Sequence, residues 1–284
     1  MTRFKQYTSL DPTFVQEQLS LFFNEDNINE DITTQSTQDN KSVEATLVAR
    51  EPLLFAGQAI IKEGFKECII KSVSQDGEFI ESNQTIACFT GPINMILKKE
   101  RVVLNLLQRL CGVASTTHSL AKITSAHNIE LLDTRKTTPG LRLFEKFAVA
   151  IGGGTNHRFS LKHAVMIKDN HLMGNPNIIQ TIADAKEANP DKDIQIEVDT
   201  IEQLEEALKS EATSILLDNF SPESLPDVVK KIRSSVKGEH MYIELSGGIK
   251  AETLESFCIP GINGISMGAL THNITSKDIG LDIL

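Results

Sequence analysis

The sequence lacks several features that mark particular classes of protein. Its 284 residues contain no tryptophan and only four cysteines, and no apolar run approaches the roughly 18 residues of a membrane-spanning helix. The cysteines are scattered without a Cys-x-x-Cys pair, so disulfides and a zinc site are not expected. The amino terminus turns polar at once, which argues against a signal peptide. We therefore expect a protein of a reducing compartment, by default the cytoplasm.

The rest of the composition is typical of a globular protein. Hydrophobic residues make up 40% of the chain and charged residues 23%, which is enough to form a substantial core. The length predicts one large or two ordinary domains. The formal net charge of -10 argues against nucleic acid as a partner, because nucleic-acid binding usually needs an extended basic surface.

One stretch reverses this acidic balance. Residues 133–171 contain seven lysines and arginines but only three acidic residues. Arginine can bind a carboxylate or phosphate through two hydrogen bonds, and glycines such as those at 152–154 let backbone N–H groups approach a ligand. The stretch predicts an anion-binding pocket, although a basic helix face followed by a flexible loop would also fit the charge alone.

The first part of the chain predicts a small α+β domain over residues 1–112. Its patterns combine helical spacing of apolar residues with short strand-like runs separated by glycine turns. The expected elements are a helix capped by Asp11 and starting at Pro12, a polar loop over 24–40, strands within 42–90, one helix near Ile61–Ser72, and a long helix from Pro92 to Gly112.

From residue 113 to about 270, short apolar runs alternate with helical stretches. This alternation predicts a parallel sheet with βαβ connections, most consistent with an α/β barrel that is open or incomplete, and an open doubly wound sheet is the competing arrangement. The expected strands are Glu130–Leu132, Ala164–Ile167, Ile194–Val198, Ser214–Leu217, Tyr242–Leu245 and Gly264–Met267; the expected helices are Ile178–Ala188, Ile201–Lys209, Leu225–Val236 and Ala251–Phe257.

Charged residues and glycines recur where these strands end, as expected of a barrel with its active site on that face. Ser246, Gly247 and Gly248, before the expected helix at Ala251, predict a phosphate site that Gly268 could complete. Glu197 and Asp218 could hold Mg²⁺, directly or through water, or bind ribose hydroxyls, although a salt bridge to the basic residues would also explain them.

Three motifs resemble one known family. Asp133–Arg142 (DTRKTTPGLR), Gly152–Arg158 (GGGTNHR) and Ile167–His171 (IKDNH) are similar, in order and spacing, to the signature of the quinolinate phosphoribosyltransferases. The segments Glu100–Leu107 and Glu244–Ile249 also resemble family segments. Ser160 and His163 depart from the pattern, which usually has Gly and Asp at these positions.

The resemblance implies a set of roles. Quinolinate and phosphoribosyl pyrophosphate would be the substrates, and Mg²⁺ the cofactor. Residues 271–284 would return to the amino-terminal domain, and the protein would be a homodimer or a higher homo-oligomer. The implied quinolinate ligands are Arg135, His157, Arg158 and Arg101 of a neighbouring subunit; pyrophosphate would be held by Lys136 and Lys168, the 5′-phosphate by Ser246, Gly247, Gly248 and Gly268, and the ribose and metal by Glu197 and Asp218.

Three other functions stay open at this point. The same fold could transfer phosphoribosyl to another aromatic acid. A barrel lyase could use Lys136 or Lys168 to form a Schiff base, which needs a desolvated lysine of lowered pKa. A phosphate-sensing barrel without catalysis would leave Glu197 and Asp218 without a task.

Overall fold

The structure is a computed structural model that describes residues 3–284. Met1 and Thr2, the first residues of the stretch that argued against a signal peptide, lie outside the described residues. Along the chain the helices are α1 Pro12–Glu25, α2 Ile32–Thr37, α3 Gln58–Gly64, α4 Ile93–Ser125, α5 Arg142–Ile151, α6 Asp169–Gly174, α7 Ile178–Ala188, α8 Ile201–Lys209, α9 Leu225–Arg233 and α10 Ala269–His272.

The strands are β1 Ser42–Ala49, β2 Leu53–Leu54, β3 Ile69–Val73, β4 Phe79–Ile80, β5 Thr85–Pro92, β6 Glu130–Leu132, β7 Val165–Ile167, β8 Ile194–Val198, β9 Ser214–Asp218, β10 Tyr242–Ser246, β11 Gly264–Ser266 and β12 Ile279–Ile283. Short 3₁₀ helices span Ile28–Glu30 and Leu254–Phe257. The predicted mixed α/β fold, with an amino-terminal sheet domain and a carboxyl-terminal parallel sheet, is confirmed.

The chain divides into two compact units. Among the described residues, the antiparallel unit comprises 6–118, 139–153 and 273–284, and the parallel-sheet unit comprises 3–5, 119–138 and 154–272. The chain thus passes between the units several times, and the predicted domains, 1–112 with a tail over 271–284 and 113–270, stay a prediction. Within the antiparallel unit, residues 139–153 are held by Phe144, whose ring centroid lies 5.1 Å from that of Phe14, and by an ion pair between Arg109 and Glu145 at 2.6 Å.

The antiparallel unit contains a four-stranded sheet in the order β12-β1-β5-β3. The carboxyl-terminal strand pairs with β1, so that Leu47 faces Leu281 in register. Phe65 and Phe89 stack in the core with ring centroids 4.6 Å apart. Both rings are fully buried, so they contribute much of the apolar area that stabilises this sheet.

Three predictions for this unit are wrong. The helix expected near Ile61–Ser72 instead spans Gln58–Gly64. It starts there because the Asp76 carboxylate accepts hydrogen bonds from the Gly57 and Gln58 N–H groups. The second part of the expected helix, Ile69–Val73, is a strand. The expected loop over 24–40 contains α2, which Asp31 caps. The long helix α4 passes through Gly112 to Ser125, and a Cβ at Gly112 would lie 2.4 Å from the Thr275 carbonyl oxygen. Close packing, not helix termination, accounts for this glycine.

The parallel-sheet unit has six strands in the order β6-β11-β10-β9-β8-β7. Every neighbouring pair is parallel, and all six strands coincide with the predicted runs to within a residue or so at their ends. In this order the strands follow the chain around a ring, and within residues 3–284 β6 and β7 are not paired with each other. An isolated bridge joins Leu132 of β6 to Thr155, which precedes β7. This topology is that of an incomplete α/β barrel.

None of the helices within residues 3–284 is both long and apolar enough to cross a membrane.

Phe144 offers a test of how α5 is held. We expect Phe144→Ala to lower the free energy of unfolding by about 3–5 kcal/mol, because it removes a fully buried ring from the core. The matched control is Phe79→Ala, since Phe79 is 55% exposed and its loss should cost about 0.5 kcal/mol or less. Guanidinium unfolding would measure both variants, and equal costs would contradict the packing described here.

Candidate active site

The carboxyl ends of the parallel strands bring most of the predicted site residues to one edge of the sheet. The candidates that lie in the parallel-sheet unit are Arg135, Lys136, His157, Arg158, Lys168, Glu197, Asp218, Ser246, Gly247, Gly248 and Gly268. Arg101 belongs to the antiparallel unit, where it is exposed on α4 and lines a cavity of about 400 Å³ with Asn105 and Arg109.

Two arginines form the most strongly cationic part of this edge. Arg158 is buried and donates hydrogen bonds to the Ala164 carbonyl at 2.9 Å and to the Met166 sulfur at 3.4 Å. Burial and the nearby Arg135 guanidinium lower the pKa of Arg158. The Arg135 Nε atom is buried without a hydrogen-bond partner among the described residues. An anion placed here would satisfy that donor and relieve the repulsion.

A lysine and two carboxylates follow on neighbouring strands. Lys168, at the end of β7, forms an ion pair with Glu197 on β8. Asp218 ends β9, where burial raises the pKa of its carboxyl group and attraction to Lys168 and Lys136 opposes that increase. The predicted alternative of a salt bridge to the basic residues is therefore present at Glu197. Both carboxylates lie close to lysines at the carboxyl ends of these strands.

Lys136 lies beside Gly268. A Cβ added at Gly268 would meet the Lys136 Cδ atom at 2.8 Å and the His272 ring at 3.0 Å, so only glycine leaves room for both side chains. The Thr271 hydroxyl donates to the Lys136 carbonyl at 2.7 Å and ties the two segments together. The exposed Lys136 ammonium is thus held next to the loop that follows β11.

The Ser246–Gly248 turn differs from its prediction in one respect. The expected α-helix at Ala251 is absent, and only a 3₁₀ turn over Leu254–Phe257 follows. A helix N-terminus therefore cannot supply the phosphate site. Gly247 and Gly248 instead have φ angles of 86° and 63°, which only glycine adopts without strain. Successive N–H groups in such a turn can form a concave anion-binding surface.

Asn219, which sequence reasoning missed, joins this turn to Asp218. Its side-chain amide donates to the Asp218 carboxylate at 2.7 Å, and its backbone N–H donates to the Ser246 carbonyl at 3.0 Å. It adopts a left-handed conformation with φ 58°. A Cβ at Gly247 would lie 2.3 Å from the Asn219 Oδ1 atom, so the two turns fit closely.

A buried polar network lies behind the strand ends. Asp133 is fully buried, and its two carboxylate oxygens accept from the His157 N–H at 2.7 Å and from the Asn156 amide at 2.8 Å. The His157 ring is bound to Glu244 at 3.2 Å, and Glu244 also accepts from the Gln195 amide at 2.7 Å. Asp133, Gln195 and Glu244 were not predicted to have a role, although a single acid within the apolar strand Tyr242–Leu245 was a usable signal.

Hydrogen bonding keeps Glu244 charged despite its burial. Burial disfavours the carboxylate, but attraction to the His157 ring and hydrogen bonds from His157, Gln195 and Ser266 outweigh it and lower the pKa of Glu244. Both His157 ring nitrogens are engaged within the protein, because Nδ1 accepts from the Arg158 N–H at 2.7 Å. A direct contact between this ring and a substrate stays a prediction, and it would replace one of these bonds.

The two departures from the family pattern face each other. The Ser160 N–H donates to His163 Nδ1 at 3.2 Å, so His163 closes the turn that follows Arg158. Both side chains are directed into this local contact. Ser160 and His163 thus form a hydrogen-bonded turn at this position.

Comparison with known proteins shows the family to which this chain belongs. Residues 31–111 match the family described as quinolinate phosphoribosyl transferase, N-terminal domain, and residues 113–282 match the C-terminal domain of the same name. The chain belongs to the quinolinate phosphoribosyltransferase family. The resemblance inferred from the three motifs is confirmed.

Relatives within the quinolinate phosphoribosyltransferase family span nearly the whole chain. A probable nicotinate-nucleotide pyrophosphorylase [carboxylating] of Bacillus subtilis is 42% identical over 270 residues, 93% of this chain and 92% of the relative. The corresponding protein of Mycobacterium leprae is 33% identical and covers 89% of this chain and 91% of its own length. The solved nicotinate-nucleotide pyrophosphorylase of Francisella tularensis has a TM-score of 0.92 at 32% identity, covering 99% of this chain and 100% of that one.

Two substitutions can separate the backbone role of Asn219 from the role of its side-chain amide. Asn219→Gly and Asn219→Ala both remove the hydrogen bond to Asp218, but only glycine tolerates the left-handed conformation. We expect the alanine variant to be less stable than the glycine variant by about 1 kcal/mol, measured by chemical unfolding. Both should lose transferase activity to a similar degree. If the glycine variant kept full activity, the amide would have no part in holding Asp218.

Proposed function

We propose that this protein transfers the phosphoribosyl group from phosphoribosyl pyrophosphate to quinolinate and releases pyrophosphate and CO₂, yielding nicotinate mononucleotide. This is the carboxylating nicotinate-nucleotide pyrophosphorylase reaction, a pentosyl transfer in NAD biosynthesis. The observation that carries the proposal is the pairing of Arg135 with the buried Arg158 beside Lys168, Glu197 and Asp218. Such a site offers separate cationic positions for a dicarboxylate and for phosphates, as this pair of substrates requires.

The arginine pair accounts for the acceptor. Quinolinate is a pyridine dicarboxylate, so it needs two anion contacts, and Arg135 and Arg158 supply two guanidinium groups at one edge of the sheet. Asp133 accepts hydrogen bonds from Asn156 and His157 and so holds the turn that leads directly to Arg158. In this proposal Arg101 of a second subunit completes the acceptor site.

The remaining residues account for the donor. Lys136 and Lys168 bind the pyrophosphate, and the Ser246–Gly248 turn with Gly268 binds the 5′-phosphate through backbone N–H groups. Glu197 and Asp218 bind the ribose and stabilise the positive charge that develops at its C1 atom. Their places on adjacent strands, opposite the lysines, fit this division.

The site fits Mg²⁺ only as a companion of the substrate. Within residues 3–284 no group of three or more His, Cys, Asp or Glu side chains could hold a metal ion. Mg²⁺ commonly keeps several waters and binds one or two carboxylates together with substrate phosphates, and Glu197 and Asp218 meet that requirement. When bound, Mg²⁺ would neutralise charge on the pyrophosphate.

The reaction itself needs no covalent bond to the protein. The quinolinate ring nitrogen attacks C1 of the ribose as pyrophosphate departs. When the adjacent carboxylate then leaves as CO₂, its electron pair stays on C2, where the quaternary nitrogen stabilises it, and a proton from solvent forms the C2–H bond of the product. The protein contributes orientation and electrostatic stabilisation. We place the reaction in the cytoplasm, and the four free cysteines suit a reducing compartment.

Two catalytic alternatives are less well supported. A Schiff-base lyase needs a desolvated lysine, but Lys136 is exposed and Lys168 is 41% exposed and paired with Glu197. Transfer to a monocarboxylic acid such as nicotinate would leave one of the two arginines without a carboxylate. The second alternative uses the same fold and differs only in acceptor.

The first test follows the carboxylate that leaves. With quinolinate labelled in its 2-carboxylate, we expect labelled CO₂ only when both phosphoribosyl pyrophosphate and Mg²⁺ are present. Pure, folded protein that releases none would overturn the proposed acceptor, and parallel assays with nicotinate and borohydride trapping with a keto acid would then examine the alternatives. Lys168→Met is the matched control, since it should abolish release without removing the arginine pair.

The shared site can be tested with hybrid dimers. Arg101→Ala and Arg135→Ala should each be inactive, but mixing them should restore about one quarter of wild-type activity, because half of the randomly mixed dimers are hybrids and each hybrid keeps one intact site. Each variant put alone through the same exchange procedure is the control. Proven subunit exchange without recovered activity would show that Arg101 does not act in a neighbouring site.

A further inference from the structure

The amino-terminal segment docks on the edge of the parallel sheet that lies opposite the candidate active site. The Arg3 guanidinium lies 4.6 Å from the centre of the Tyr242 ring and donates to the Ser214 hydroxyl at 2.9 Å. Tyr242 and Ser214 begin β10 and β9, whose other ends carry Ser246 and Asp218. Arg3 thus holds this segment at the amino ends of the strands through a cation–π contact and a hydrogen bond.

The next residue, Phe4, reaches the buried histidine. Its ring centroid lies 4.7 Å from that of His157, with the two planes inclined by 32°. His157 is 5% exposed, so the phenyl ring covers a face of the imidazole. This aromatic contact lies on the amino-terminal side of the network, whereas Arg158 leads from the same turn toward the site.

The contacts of His157 determine which nitrogen carries its proton. A backbone N–H can only donate, so Nδ1 accepts from the Arg158 N–H at 2.7 Å. The proton is therefore on Nε2, which faces the Glu244 carboxylate at 3.2 Å. Rotation of the imidazole would break both bonds, and the Phe4 ring blocks one direction of such rotation.

We infer that Phe4 is a positioning residue: its ring holds the His157 imidazole between Glu244 and the Arg158 backbone, and so fixes the approach of Arg158 to the acceptor. No part of the proposed reaction uses Phe4 directly, and its kinetic consequence rests on the proposed function. Because the acceptor site contains Arg158 while the donor site is built on other strands, loss of Phe4 should weaken binding of the aromatic acid selectively.

Steady-state kinetics of Phe4→Leu would test this selectivity. We expect the KM for quinolinate to rise about three- to tenfold, the effect of losing one aromatic pair, with the KM for phosphoribosyl pyrophosphate unchanged. Phe4→Tyr keeps the ring and should restore wild-type values. The matched control is Phe257→Leu, the same change at a half-buried phenylalanine of the same unit. Equal increases in both KM values, or an unchanged KM for quinolinate, would overturn the inference.

Nuclear magnetic resonance of the histidine rings gives a readout that does not depend on activity. The His157 signals, assigned with His157→Gln, should show the Nε2-protonated tautomer and ring protons shifted upfield by Phe4. Phe4→Leu should move these protons downfield, while Phe257→Leu should leave them unchanged. Identical His157 signals in wild type and Phe4→Leu would overturn the inference even if the kinetics changed.

Failure of the proposed function and misfolding of Phe4→Leu must each be distinguished from failure of this inference. If the wild-type protein did not use quinolinate, the proposed function would fail, and the His157 signals would still decide the role of Phe4. If Phe4→Leu did not fold, Arg3→Ala would weaken docking of the segment without altering the ring, and it should change the same signals and the same KM in the same direction to a smaller extent. Unaltered signals and kinetics in a folded Arg3→Ala protein would then count against the inference.

Discussion

One buried carboxylate organises the interior of the parallel-sheet unit. Glu244 on β10 is almost completely enclosed, and burying an unpaired carboxylate would cost several kcal/mol. Hydrogen bonds from Gln195 on β8, Ser266 on β11 and His157 offset that cost. Because donors from several separate segments meet one acceptor group, a shift of any of these segments would leave a buried charge unsatisfied. The network therefore holds β8, β10, β11 and the His157 turn in fixed positions relative to one another.

Strands that are held in fixed positions allow positive charge to be concentrated at their carboxyl ends. The repulsion between Arg135 and the buried Arg158 destabilises the folded protein, and so does the buried Arg135 Nε atom, which has no hydrogen-bond partner among residues 3–284. A bound dianion would relieve both effects, so part of the cost of folding this site is returned on binding. Glu197 and Asp218 limit the repulsion near Lys168, which is already paired with Glu197. This balance of charge leaves the arginine pair as the more strongly cationic part of the edge, in line with the separate acceptor and donor positions of the proposed function.

Most of the parallel-sheet unit could be predicted from the sequence, because strand period, strand spacing and terminal residues repeat regularly along the chain. The mispredicted positions depend on contacts between residues distant in sequence. The helix start at Gln58 is set by Asp76, the continuation of α4 through Gly112 by Thr275, and the turn at Gly247 by Asn219. A helix was expected after Ser246–Gly248 because such a turn often precedes one. Local pattern cannot reveal partners of this kind. It predicted the strand ends that carry the candidate site residues, but not Glu244, Asp133 and Asn219, which form hydrogen bonds with them.

The two edges of the parallel sheet are connected through its polar interior. Exposed side chains at the carboxyl edge, such as Lys136, are free to change partner when a ligand binds. His157 and Glu244 have no such freedom, since each bond they make satisfies a buried atom. A change at the amino edge can therefore reach the carboxyl edge only by way of residues that touch both, and His157 is such a residue, with Phe4 on one side and the Arg158 backbone on the other. If the proposed function holds, sensitivity of the acceptor site to the amino-terminal segment would be a consequence of this rigidity.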